Sequence, residues 1–124
     1  MKTRKLFFVA LLAIGSTALW SQAVGDYGSA GNGNWGTSSI WVVCQTAGQW
    51  TDATPVTNIP TTATTVNFWI RNGHTVNVES SPKYANNVTV ETGGKLSSDA
   101  NLPSTGLYLR LPGTTLTVNG QFGS

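Results

Sequence analysis

The 124-residue sequence holds one cysteine, one histidine and few charges, and only a tenth of its residues are Asp, Glu, Lys or Arg. Cys44 has no second cysteine to pair with, so the fold must be held by packing and backbone hydrogen bonds. Zinc takes three or four ligands, and His74 and Cys44, thirty residues apart, do not supply them. No segment offers a nucleophile, a base and an orienting acid together. The acids of the chain are spaced singly, so no carboxylate pair marks a glycosidase. A non-enzymatic chain with no resident cofactor is expected. Long apolar runs are also missing. The longest, Leu6 to Ile14, has nine residues, against the roughly 20 that span a bilayer. After Val24 no apolar pattern of helical period occurs, and Gly, Thr, Asn and Ser, all weak helix formers, dominate.

What is present begins with an address. Met1-Lys2-Thr3-Arg4-Lys5 is a basic start, Leu6 to Ile14 an apolar core, and Ser21-Gln22-Ala23 a small-x-small end. These parts make residues 1–23 a signal peptide with cleavage before Val24, and place the chain in the secreted or cell-surface compartment. About 101 residues remain, enough for one domain. They keep the four basic residues Arg71, Lys83, Lys95 and Arg110 against five acids, so the formal charge moves from +2 for the whole chain to −1. Four scattered cations form no phosphate-neutralising face, which excludes nucleic acid as a partner. No transmembrane anchor is expected in the mature chain.

The mature chain has two textures. Residues 24–65 form a Trp-rich cap followed by a Thr/Pro-rich loop. From residue 66 to 124, short runs alternate with period two: Val66 to Ile70, Thr75 to Val78, Asn87 to Val90 and Leu107 to Leu111. Alternation bounded by Gly, Asn and Pro is the signal of strands, and the fold class is all-β. Gly73, Gly93 and Gly113 recur every twenty residues, each followed three residues later by Val76, Leu96 or Leu116. Phe68, Val88 and Tyr108 precede them by five. A period of twenty suits a coil of strand, Gly-marked turn and strand, stacked on its neighbours by parallel pairing. This pattern points to a parallel β-helix of an N-terminal cap and about three coils. An antiparallel sandwich or meander is the alternative.

The segments Val24-Gly25-Asp26-Tyr27-Gly28-Ser29, Gly33-Asn34-Trp35, Ile40-Trp41, Trp50 and Ile70 to Val78 together resemble the opening of large secreted or surface proteins of the Bacteroidota. That family, G8-like and often exported by the type IX system, implies a right-handed parallel β-helix with a Trp-bearing cap. It implies adhesion or carbohydrate contact at the cell surface, with extracellular polysaccharide or surface glycan as partner. It also implies that this chain is the N-terminal fragment of a longer protein, whose further coils stack on these. Two other functions remain open: the first coils of a polysaccharide-degrading β-helix enzyme, and a small carbohydrate-binding module.

Among single residues the tryptophans stand out. Trp35, Trp41 and Trp50 suit either a hydrophobic plug for the first coil or a stacking platform for sugar rings. Trp69 alternates with Phe68 and Ile70 and is expected on the outer surface. All four are candidate glycan contacts, and Gly73, Gly93 and Gly113 are the expected turn glycines. Glu79 and Asp99 share a phase of the repeat and, with Asn77, offer oxygen ligands for calcium; the competing reading makes them solvated turn residues. Cys44 lies in an apolar run and is expected buried. His74 is expected to bond an adjacent coil from its turn. A Thr ladder for ice contact would need Thr at 75, 95 and 115, and position 95 is Lys.

Overall fold

The computed structural model describes residues 21–79, 82–98 and 115–123. Residues 1–20 of the signal segment, Asp99, Arg110 and Gly113 lie outside them, as does the expected strand over 107–111. Within the described residues the chain is all-β save one short 3-10 turn, Ser38–Ile40. The strands are β1 (Tyr27–Ser29), β2 (Gly33–Asn34), β3 (Trp41–Val43), β4 (Thr54–Pro55), β5 (Phe68–Ile70), β6 (Thr75–Val78), β7 (Val88–Val90), β8 (Lys95–Ser98), β9 (Leu116–Val118) and β10 (Gln121–Phe122). They form two sheets, ordered β4-β3-β1-β5-β7-β9 and β10-β8-β6-β2.

From β5 onward the chain alternates between the sheets, and each strand pairs in parallel with the strand two places on. Phe68 pairs with Val88, and Val76 with Leu96, each step twenty residues. The two turns that join the sheets match. Gly73 and Gly93 both have φ of 83°, a left-handed conformation that glycine adopts without cost. The carbonyls of Arg71 and Glu91 accept the N–H groups of His74 and Gly94 to close these turns.

Alternation along each strand decides which side chains go inward. Phe68, Ile70, Val88 and Val90 are fully buried between the sheets, as are Val76 and Leu96. Each such burial is worth about 1.5–3 kcal/mol relative to exposure. Trp35 and Trp41 join this core, tilted or edge-on to Phe68 at centroid distances of 4.6 and 4.9 Å. Trp41 Nε1–H donates to the Trp35 carbonyl at 2.8 Å.

Two features depart from the sequence reading. The first is the region before residue 66, which adds strands to the same two sheets. Tyr27 pairs in parallel with Phe68 and Gly33 with Val76, so β1 and β2 form a further layer. β3 and β4 then extend the first sheet with antiparallel pairings. The second is the phase of the last layer. Leu116, expected as the counterpart of Leu96, pairs instead with Val88, 28 residues on rather than 20. The turn between β9 and β10 is Asn119-Gly120, two residues where the earlier turns have four, and Phe122 takes the place opposite Leu96. Leu116, Val118 and Phe122 hold the positions that Val88, Val90 and Leu96 hold one layer earlier.

Candidate functional site

The outer face of the first sheet carries the site. Trp69, Thr89 and Thr117 are in register on β5, β7 and β9. Each points away from the core, because its neighbours in the strand point inward. Beside them runs a second row, Asn67, Asn87 and Thr115, joined from layer to layer. Asn67 Oδ1 accepts from Asn86 Nδ2, Asn87 N and Asn87 Nδ2 at 3.0–3.2 Å. Asn87 Oδ1 accepts the Thr115 N–H at 3.0 Å. Together these rows line an open groove of about 1170 Å³, whose lining also includes Asp26 and Glu91.

Asp26 organises the Trp69 end. Its carboxylate is 6% exposed, and three N–H groups converge on it. Oδ2 accepts from Trp69 Nε1 at 2.9 Å and from the Ala23 N–H at 2.9 Å, while Oδ1 accepts from Asn67 Nδ2 at 3.1 Å. These bonds fix the orientation of the indole and leave its ring on a half-buried surface. Trp50 lies next to it on the same face. A Cβ added to Gly28, the residue paired with Trp69, would meet the Trp50 ring at 2.6 Å. Trp50 thus occupies the space that a side chain at 28 would fill. The Arg71 guanidinium stacks over Trp50 at 5.3 Å.

The four tryptophans therefore divide. Trp35 and Trp41 are fully buried, which removes them from glycan contact. Their rings are spent on the core, in the plug role. Trp50 is half-buried under Arg71. Trp69 alone combines an outward ring with a place in the groove. Asp26, Asn67, Asn87 and Glu91 were not anticipated as site residues. Asn67 and Asn87 lie one repeat apart, and that spacing was the available signal.

The remaining candidates are accounted for locally. His74 Nδ1 and Ser29 Oγ, on the neighbouring layer, are 2.8 Å apart, and Ser29 Oγ also accepts the Arg71 N–H at 2.8 Å. Ser29 is fully buried, and this hydroxyl–imidazole pair tethers β1 to the turn. Glu79 Oε1 accepts from the Gly36 N–H at 2.9 Å and pairs with Lys83 at 3.1 Å. Among the described residues no group of three or more His, Cys, Asp or Glu is placed to hold a metal ion. Cys44 is buried, and its thiol donates toward the Thr46 and Gln49 carbonyls at 3.1 and 3.4 Å. Burial pushes the thiol pKa up, and the nearby Asp26 charge adds to the rise. No helix among the described residues is long and apolar enough to cross a membrane.

Compared with protein families, curated proteins and solved structures, the chain matches none of them. Function has to be read from the groove itself.

Proposed function

We propose that the chain is the opening of a right-handed parallel β-helix that works outside the cytoplasm as an adhesive scaffold, and that its contact face is the groove beside Trp69, which binds polysaccharide. The observation that carries this reading is the Trp69 indole, pinned by Asp26 and set against rows of amides and hydroxyls. An aromatic face suits the apolar face of a sugar ring. Asn and Thr side chains donate to and accept from its hydroxyls. The signal-like N-terminus supports export. Parallel pairing at twenty-residue steps, with matched glycine turns, supports the β-helix. Leu116, Val118 and Phe122 stay 36–59% exposed, although they hold positions that are buried one layer earlier. That fits a further layer of chain seated on this edge.

Co-sedimentation of the secreted chain with insoluble polysaccharides tests the contact face. Wild-type protein is expected in the pellet with at least one polysaccharide. Trp69→Ala should weaken that binding about tenfold, the scale of one aromatic stack together with its buried area. Equal pelleting of both proteins contradicts the reading.

A further inference from the structure

We infer that the groove selects uncharged polysaccharides and rejects acidic ones, an inference that rests on the contact-face reading above. None of the residues lining the groove is Lys, Arg or His, whereas two, Asp26 and Glu91, carry carboxylates. The cations of the described residues stand outside that lining. Arg71 stacks on Trp50, and its Nη1 donates to the Ser29 carbonyl at 3.3 Å. Lys83 pairs with Glu79 in the space under Gly36. Lys95 belongs to β8, in the other sheet.

Recognition of carboxylate or sulfate groups draws on Arg and Lys, whose charge-assisted bonds offset the loss of hydration. A uronate or sulfated sugar laid in this groove would meet Asp26 and Glu91 without such a partner. The repulsion acts as a filter against acidic chains even where the sugar rings fit. What remains is a surface suited to neutral hydroxyl groups: Asn87, Thr89 and Thr117 beside one indole.

The rows also set the direction of the ligand. Trp69, Thr89 and Thr117 succeed one another across the strands at roughly 4.8 Å per step. An extended glycan would then lie along the direction of stacking, with one ring on Trp69 and later units on the Thr89 and Thr117 side.

Affinity electrophoresis of the secreted chain through gels holding neutral polysaccharides (glucan, xylan, mannan) or acidic ones (alginate, pectate) tests this, at low and high salt. The expected result is retention by a neutral polysaccharide at least about tenfold stronger than by any acidic one. Retention should change little with salt, because no ion pair forms. Glu91→Lys, which leaves the indole and its bond to Asp26 in place, should raise retention by the acidic gels. Stronger retention of the wild type by alginate or pectate overturns the inference and leaves the contact face standing. Loss of all retention, or retention untouched by Trp69→Ala in a chain with a wild-type circular dichroism spectrum, overturns the contact-face reading itself.

Discussion

At the scale of single residues, the two buried tryptophans make a sharp comparison. Both rings fill the same cluster, at a centroid distance of 5.2 Å. Trp41 Nε1–H donates to a carbonyl, whereas Trp35 Nε1 is buried with no protein acceptor. Trp41→Phe should therefore cost about 1 kcal/mol more than Trp35→Phe, the net worth of one hydrogen bond. Urea denaturation of the two variants measures the difference, and an equal loss would refute the assignment of that bond. Cys44 gives a pH dependence. Its thiol pKa is raised in the folded state, first by burial and then by Asp26. The neutral thiol is thus bound more tightly by the fold than by the unfolded chain. The contribution is complete below the unfolded thiol pKa of about 8.5 and is lost as pH rises through the folded value. The melting temperature of the wild type should fall more steeply with alkali than that of Cys44→Ala. Parallel curves would show that the thiol is not the group responsible.

At the scale of elements, the Asn67 ladder shows what ties one layer to the next. Its side chain bridges Asp26 on one side to Asn86 and Asn87 on the other. Asn67→Ala leaves several half-buried polar groups without their partner, at an expected cost of about 1–3 kcal/mol. Chemical denaturation should show that loss with little change in the far-ultraviolet spectrum, because the backbone pairing on either side remains. Much of this layer arrangement could be read from the chain. Alternation marks β5, β6 and β7, the spacing of Gly73 and Gly93 marks their turns, and Phe68 and Ile70 on either side of Trp69 place the indole outward. Three things could not be read. The antiparallel addition of β3 and β4 depends on pairings with no local signal in the sequence. The phase of Leu116 depends on how much chain lies between two strands, and a fixed period carries that over wrongly. The role of Asp26 depends on residues more than forty positions away, Asn67 and Trp69, brought to it only by the sheet.

At the scale of the whole molecule, the N-terminal border is tied to the groove beside Trp69. The expected cleavage before Val24 would remove Gln22 and Ala23, yet both are bonded into the fold. Ala23 N–H reaches Asp26, and the Gln22 carbonyl accepts the Gly48 N–H at 2.9 Å. With its amide turned to place the oxygen toward them, the Gln22 side chain accepts from Trp50 Nε1 and the Gln49 N–H, each at 3.1 Å. A chain beginning at Val24 should be about 4 kcal/mol less stable than one beginning at Ser21, at roughly 1 kcal/mol net for each of the four bonds lost. Equal midpoints in urea would show that the two residues contribute nothing to the fold. The proposed contact with polysaccharide depends most on Trp69. The most direct test is a calorimetric titration of wild type, Trp69→Phe and Trp69→Ala with a soluble neutral oligosaccharide that the parent polysaccharide screen selects. The expected order of affinity is wild type, then Phe, which keeps a ring but loses its bond to Asp26, then Ala, weaker than wild type by about tenfold. An Ala variant that stays folded and binds as tightly as wild type would contradict it.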